Sequence, residues 1–97
     1  SLPDGLAKRE PIEVRADMID TNKHVNNGQY INMAMALFEQ DEPEPAAHPV
    51  KRMLAEYKKS AVMGDTFCPY TGRHDGRYYV CLKDGDDNIN AIVVFEQ

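Results

Sequence analysis

The side chains best suited to chemistry lie in one short polar segment, residues 20–27, which reads Asp-Thr-Asn-Lys-His-Val-Asn-Asn. Asp and Asn collect at turns and helix starts because their side chains bond to nearby backbone groups. That tendency explains one or two of these residues, but not Asp20, Asn22 and His24 together with the two asparagines. An imidazole, with an unperturbed pKa of about 6.5, can also transfer a proton at neutral pH. The segment therefore predicts a place where the chain meets a polar group.

The end of this segment also predicts the start of a helix. Asn26 or Asn27 is a good N-cap, because an Asn side chain accepts a hydrogen bond from an unpaired N–H of the first turn. The N–H groups of Asn27 and Gly28 would point outward at the positive end of the helix dipole, where a developing oxyanion is stabilised. Capping is the alternative role for both asparagines, and the two roles are compatible. For Asp20 and His24 the alternative is a hydrogen-bonded loop pair without catalytic function.

The rest of the chain supplies the elements that must position this segment. Alternating apolar residues predict strands, and the apolar run after the segment predicts a helix that is apolar around most of its circumference and therefore buried. The predicted strands cover residues 10–16, 49–60, 66–73, 78–83 and 89–95, and the predicted helix covers residues 28–40.

Tight turns join the last four predicted strands. Gly64-Asp65 ends the second strand, Asp75-Gly76 is a strong hairpin signal, and Asp84–Asp87 forms a second hairpin turn. Pro69 and Gly72 predict a third strand that is bulged or at an edge. The fold class is therefore α+β, with one curved antiparallel sheet wrapped around one long apolar helix. Residues 1–9 are predicted to be a lead-in or linker, and residues 10–97 one domain.

Composition excludes several classes of function. The chain has 97 residues, a net charge of -5 and 42% hydrophobic residues, which is typical of a globular domain but unsuited to a nucleic-acid backbone. No apolar run approaches the roughly 20 residues of a membrane span, and no signal-peptide pattern opens the chain. We therefore expect no nucleic-acid or membrane partner and a cytoplasmic location.

Metals and disulfides are not expected. The three histidines and two cysteines lack the close spacing of zinc ligands, and His48 and His74 are predicted to face solvent. Cys68 and Cys81 flank the Asp75 turn and could lie across a hairpin, but reduced buried thiols are the expected state in cytoplasm. The basic pairs Lys51-Arg52 and Lys58-Lys59 have two interpretations, a solvated strand side or a small docking face for an acidic carrier.

Two stretches of the chain resemble one family. The segment Val14 to Ile31, with residues 20–27 followed by Tyr30-Ile31, resembles the motif of the acyl-acyl carrier protein (ACP) thioesterases, members of the hot-dog superfamily. The run Glu56-Tyr57-Lys58-Lys59, followed by Gly64-Asp65-Thr66, resembles the same family at the right separation. The motif belongs to the second of two tandem hot-dog repeats, so the chain resembles the C-terminal half alone.

The resemblance implies hydrolysis of the thioester between a fatty acyl chain and ACP, a step of fatty acid biosynthesis, without metal or organic cofactor. Asp20, Asn22 and His24 match the catalytic residues of the family, and Asn26, Asn27 and Gly28 would contribute oxyanion or substrate binding. In this interpretation His24 moves a proton, Asn22 binds an acyl oxygen or a water, and Asp20 orients a neighbour. The implied partners are acyl-ACP and either a second copy of the chain, as a homodimer, or a second hot-dog repeat.

Two positions depart from the family pattern. Relatives place a carboxylate directly after the basic pair of the second strand, sometimes followed by cysteine, where this chain has Ser60 and Ala61. They often also have an aspartate at the position of Met18. These departures leave open a non-catalytic acyl-binding or dimerisation half. A further alternative, an acyl-coenzyme A (CoA) thioesterase of the same superfamily, differs only in the leaving group. Whether this half is active alone stays an open question at this point.

Overall fold

The computed structural model describes residues 2–97 as one antiparallel sheet and one long helix, which confirms the predicted α+β class. The chain forms strands β1 and β2, a short 3₁₀ helix, the helix α1, and then strands β3 to β6. The bounds are β1 Ala7–Lys8, β2 Ile12–Glu13, 3₁₀ helix Ala16–Met18, α1 Asn27–Asp41, β3 Arg52–Tyr57, β4 Thr66–His74, β5 Arg77–Lys83 and β6 Ile89–Glu96.

Local residues determine both ends of the helix α1. Asn26 is its N-cap, with its side chain accepting a hydrogen bond from the N–H of Gly28, which confirms one of the two predicted caps. The helix ends at Asp41, with extended Glu42 as its C-cap, because the ring of Pro43 excludes the preceding residue from the helical region. Five apolar residues along one side are buried against the sheet: Tyr30, Met33, Ala34, Leu37 and Phe38.

The sheet has the strand order β1-β4-β5-β6-β3, and β2 also pairs with β4. One of its hairpins follows directly from local sequence. Asp75 and Gly76 have φ angles of 51° and 75°, the left-handed pair of a two-residue hairpin turn, and join β4 to β5. The pairing of β3 with β6 is long-range and places Met53 opposite Phe95. Phe95 stacks on Phe38 of α1 with ring centroids 4.8 Å apart, so this face of the sheet is the one that covers the helix.

The prediction of one strand over residues 10–16 was wrong in its bounds. Pairing starts earlier, in β1, and the chain then breaks around Pro11 before β2, because proline has no N–H for the ladder. Val14 is buried as its alternation predicted, but Ala16 is exposed and opens the 3₁₀ helix. Arg9 explains why the lead-in is ordered, since its Nη1 donates to Asp41 Oδ2 at 2.5 Å and to Thr71 Oγ1 at 2.9 Å.

The prediction that β4 is bulged or at an edge was also wrong. β4 pairs with β5 in continuous register and has β1 and β2 on its other side. Pro69 lies where β1 has ended and β2 has not begun, and its carbonyl accepts the N–H of Arg9 at 2.8 Å. Its missing N–H therefore faces a gap in the ladder and costs no hydrogen bond. The bulge lies instead between β5 and β6, near Lys83.

The strand β3 forms an open edge of the sheet. Each of its six residues is exposed, although Leu54 and Tyr57 are large and apolar and remain 42% and 45% exposed. Next to it, Met35 of α1 is also 42% exposed, so the helix is less completely buried than its composition predicted. Exposed apolar edges are uncommon in isolated domains because they template pairing with another strand.

Candidate functional site

Asp20 organises the loop that carries the candidate residues. Its Oδ1 accepts hydrogen bonds from the backbone N–H of Asn22 at 2.9 Å and of His24 at 3.3 Å. The backbone N–H of Asp20 donates in return to the carbonyl of His24 at 2.9 Å. Lys23 adopts the left-handed conformation, with φ at 65°, which lets the loop turn this tightly. The carboxylate therefore acts on the backbone of its neighbours.

Asn22 and His24 leave their side chains free. Both residues are exposed, and within residues 2–97 no hydrogen bond involves either side chain. In this structure Asp20 bonds to the backbone N–H of His24 and not to the imidazole. The loop itself is closed by a bridge between Ile19 and Val25. Its backbone is held while its two functional side chains point away from internal partners.

The start of α1 supplies an anion-binding group beside the loop. Asn26 Oδ1 accepts the N–H of Gly28 at 2.8 Å, and the Asn26 carbonyl accepts the N–H of Gln29. Gly28 is therefore engaged by the cap, which argues against its predicted role as an oxyanion donor. Asn27 is the first residue of the helix, where the N–H has no intrahelical acceptor. Of these two N–H groups, that of Asn27 is the candidate that remains for binding an oxyanion.

A polar cleft of about 250 Å³ opens at this helix start. Asn27 and Tyr30 form its helix side, and the end of β3 and the residues after it form the other side. Asn22 and His24 do not line it. The residues along the second side are Tyr57, Lys58, Lys59 and Ser60.

Ala61 connects the loop, the helix and the second side of the cleft, residues 57–60, which we call the cleft wall. Its N–H donates to the hydroxyl of Tyr30 at 3.2 Å, and its carbonyl accepts the N–H of Val25 at 2.8 Å. Burial raises the pKa of Tyr30, so the hydroxyl stays protonated at neutral pH. Val25 follows His24 directly and Ser60 precedes Ala61, so this hydrogen bond brings the loop of residues 20–25 and the cleft wall side by side.

The positions that depart from the family pattern differ in their access to the cleft. Ser60 is exposed and lines it, whereas Ala61 is fully buried. Met18 is 4% exposed and belongs to the core, where a carboxylate would be strongly disfavoured without a partner. Only position 60 could therefore present a carboxylate to a substrate bound beside Asn27.

The basic pairs near the cleft are largely neutralised within the chain. Arg52 pairs with Glu96 at 2.8 Å, Lys58 with Glu56 at 3.2 Å and Lys59 with Asp84 at 2.5 Å. These pairs favour the solvated-strand interpretation for three of the four cations over a dedicated docking face.

Sequence reasoning missed two parts of this site. The sequence predicts Tyr30 as a core residue whose edge could line an acyl tunnel, but its hydroxyl bond to Ala61 has no local signal because 31 positions separate the two residues. Tyr57 was treated as part of a strand, yet its ring lies 5.8 Å from that of Tyr30 and lines the cleft. The sequence signal for this wall is the run Glu56-Tyr57-Lys58-Lys59, which resembles the family.

Residues outside the site behave as structural groups. Cys68 and Cys81 are both free; Cys68 lies opposite Lys83 and Cys81 opposite Tyr70, so the two thiols do not face one another. His48 and His74 are exposed as predicted. Residues 2–97 contain no group of three or more His, Cys, Asp or Glu arranged to hold a metal ion. No helix in that range is long and apolar enough to cross a membrane.

Solved structures with the same fold include thioesterases and proteins solved with CoA. The Staphylococcus aureus protein SAV2348, in complex with CoA, has a TM-score of 0.79 at 14% identity, covering 94% of this chain and 73% of its own. An acyl-ACP thioesterase from Bacteroides thetaiotaomicron has a TM-score of 0.77 at 16% identity over 99% of this chain. A Thermus thermophilus thioesterase complexed with CoA and Zn has a TM-score of 0.71 at 20% identity, covering 96% of this chain and 78% of its own. These likenesses confirm the predicted single hot-dog domain.

The family comparison is more specific than the fold. The chain spans 41% of the length of the Bacteroides thioesterase, in agreement with a resemblance to one half of such a protein. None of the curated proteins compared matches the sequence. Residues 3–97 match the family model described as the acyl-ACP thioesterase C-terminal domain. The loop, the helix start and the fold all lie within that match, and the chain belongs to the acyl-ACP thioesterase C-terminal domain family.

Proposed function

We propose that this domain hydrolyses fatty acyl-ACP thioesters to a free fatty acid and the carrier thiol. The observation that carries the proposal is the loop of residues 20–25, whose backbone is held by Asp20 while Asn22 and His24 keep unbonded side chains. The family match and the thioesterase named among the structures of the same fold support a thioester hydrolase. The carrier is the part of the proposal that rests on the family description alone.

The proposed reaction uses water as the nucleophile. His24 accepts a proton from the water as its oxygen attacks the carbonyl carbon, and Asn22 helps to hold that water or the acyl oxygen. The N–H of Asn27 stabilises the oxyanion of the tetrahedral intermediate. The C–S bond then breaks, and the departing sulfur takes up the proton from His24. Asp20 contributes by fixing the backbone positions of Asn22 and His24.

A second hot-dog unit is the proposed structural partner, as a second copy of this chain or as another repeat. The open edge of β3 offers a row of backbone groups, and Met53 and Leu54 are 43% and 42% exposed on its two faces. An apolar cleft of about 630 Å³ between α1 and this edge includes Met35 and Val50. Pairing along β3 would extend the sheet and cover this surface.

The test is to measure thiol release from an acyl-ACP and from the acyl-CoA with the same acyl chain. We expect release from both and a higher kcat/KM for acyl-ACP. The rate per chain should also rise with protein concentration, because pairing increases with concentration. In the paired form, a second hot-dog unit covers the β3 edge beside the cleft. Sedimentation velocity over the same concentrations would show whether pairing follows the same curve.

A preference for acyl-CoA would replace the carrier with CoA as the substrate, as the CoA-bound SAV2348 structure allows. Absence of release from both substrates, by a folded and paired sample, would contradict hydrolysis altogether.

A non-catalytic acyl-binding or dimerisation half is the second candidate function, and Ser60 is the observation that favours it. Ser60 lines the cleft where relatives of the family place a carboxylate. Without that carboxylate, activation of the water depends on the loop alone. A binding half would retain acyl affinity with no turnover.

Replacing Ser60 with glutamate should increase kcat for thioester hydrolysis by roughly tenfold, since general-base assistance is worth about 10²–10⁴ when fully aligned and the new carboxylate would be only partly positioned. Ser60 is exposed, so the variant should fold normally. Ser60→Gln is the matched control, with the same shape and no basic group, and should stay at the original rate. Equal rates for both variants would show that position 60 plays no part in activating water.

A further inference from the structure

Asn90 is a buried polar residue to which the mechanism above assigns no role. It is 1% exposed and lies in β6. Ala91 pairs with Leu82 and Ile89 pairs with Lys83, which makes Asn90 the extra residue of a β-bulge. Bulges re-aim side chains and are common beside active sites.

The bulge directs Asn90 at the end of β3. Its Nδ2 donates to the carbonyl of Lys59 at 3.1 Å. Its own carbonyl accepts the N–H of Lys58 at 2.8 Å and of Lys59 at 3.2 Å. In addition, Nζ of Lys59 pairs with Oδ2 of Asp84 at 2.5 Å, in the turn of the same β5–β6 hairpin. The β5–β6 hairpin therefore holds both the main chain and the side chain of Lys59.

The hydrogen bonds of Ala61 hold the other end of this segment. Tyr30 accepts its N–H and Val25 donates to its carbonyl. Ser60 is consequently the exposed residue between two held neighbours. It faces the cleft that it shares with Asn27, so the position of Lys59 controls how far Ser60 lies from the helix start.

The side chain of Asn90 has one buried polar atom that works against stability. Its Oδ1 is buried and has no hydrogen-bond partner within residues 2–97. A buried acceptor without a partner is destabilising, and an apolar side chain of similar size would avoid that penalty. What an apolar side chain would lose is the donor to the carbonyl of Lys59.

We propose that Asn90 is a positioning residue of the thioesterase site, acting through Lys59 to set the separation of Ser60 and Asn27 across the cleft. This inference rests on the proposed hydrolase function.

The wall is also bonded through the Ala61 carbonyl to Val25, the residue after His24. A displaced wall would therefore shift His24 relative to Asn27. Misplacing a reacting group by about 1 Å can lower a rate by roughly 100-fold, although Asn90 does not touch the substrate.

The test compares Asn90→Leu with Asn88→Leu in the full chain. Asn88 is exposed in the same hairpin. Its substitution removes a 3.3 Å bond from Nδ2 to Asp84 Oδ2, while its backbone N–H still bonds to Asp84 Oδ1 and every bond between Asn90 and Lys59 is kept. For Asn90→Leu we expect kcat to fall by about 10- to 100-fold, with KM little changed because no substrate-binding group is removed. The melting temperature should stay equal or rise. Asn88→Leu should retain the original kcat.

Amide hydrogen exchange gives a readout that does not need activity. In Asn90→Leu, exchange of the Ala61 N–H should become about tenfold faster, since loss of the Lys59 bond loosens the wall locally. Amides in the middle of β5 should keep their protection. Asn88→Leu should leave the exchange of Ala61 unchanged.

Two outcomes overturn the positioning role: unchanged kcat with unchanged Ala61 exchange, or a lower melting temperature with faster exchange across the whole sheet. If the original chain releases no thiol, the proposed function fails separately. In that case amide exchange alone tests whether Asn90 positions the wall. Faster exchange confined to Ala61 would support that role, and unchanged exchange would overturn it.

Discussion

Replacing His24 with alanine should lower kcat for acyl-ACP hydrolysis by about 10²- to 10⁴-fold, the usual contribution of general acid-base catalysis. The imidazole is the one group on the loop that can exchange a proton near neutral pH. Its exposed side chain makes no hydrogen bond within residues 2–97, so the free energy of unfolding should change by less than about 0.5 kcal/mol. Thiol release and denaturant unfolding measured on the same preparation check both statements.

The control for this variant is His74→Ala. His74 is exposed at the end of β4 and outside the site, so its substitution should leave kcat unchanged. If His24→Ala retained the original rate while the chain remained active, the loop would not be the catalytic element. The acyl-binding interpretation would also be favoured if neither variant altered acyl affinity and no turnover occurred.

Replacing Tyr78 with phenylalanine should destabilise the domain by about 1.5–3 kcal/mol at pH 7, the range for a hydrogen bond to a charged group. Tyr78 is 1% exposed, and its hydroxyl donates to Oδ2 of Asp41 at 2.6 Å. Arg9 donates to the same oxygen. Partial burial works to raise the pKa of Asp41, but the bonds from Tyr78 and Arg9 outweigh it and hold that pKa below its ordinary value.

The same residue should govern stability at alkaline pH. Burial, together with the bond to Asp41, raises the pKa of Tyr78 from 10.0 to about 12. A pKa that is higher in the folded state means that the contribution to stability is complete below pH 10 and is lost as the pH rises toward 12. Two pH units correspond to about 2–3 kcal/mol. The Tyr78→Phe variant should lack this part of the alkaline loss.

Denaturant unfolding at pH 7 and between pH 10 and 11.5 checks the prediction. Tyr70→Phe is the matched control, because Tyr70 is only half-buried and its ring lies under Lys83 on the opposite face of the sheet. The control should retain the full alkaline loss. An alkaline slope in Tyr78→Phe equal to that of the original chain would contradict the assignment.

Local chemistry explains which parts of the fold could be predicted. Asn26 caps the helix because one side chain and the first turn are sufficient for that interaction. Asp75 and Gly76 form their hairpin because both accept left-handed backbone. Alternation identified β3 and β6 as strands, but their pairing could not be predicted, because it depends on how distant segments pack and not on local pattern.

In the candidate site, too, local features could be predicted and long-range contacts could not. Asp20, Asn22 and His24 could be selected from residue type and from the family motif. The partners of Asp20 could not, because a carboxylate at a turn can bond to either an imidazole or the backbone, and the left-handed Lys23 decides for the backbone. Tyr30 and Asn90 act on Ala61 and Lys59 from 31 positions away in each case, a distance over which sequence carries no geometric signal.

The loop of residues 20–25 has a thermodynamic consequence. If the loop binds the thioester as proposed, its backbone is already ordered by Asp20, so binding there would incur little loss of main-chain entropy. Asn22 and His24, in contrast, keep their rotamer freedom until the thioester arrives, and ordering each side chain costs about 0.5–1.5 kcal/mol of binding free energy. Affinity for the ground state is lowered by that amount, and the catalytic geometry is completed only in the complex.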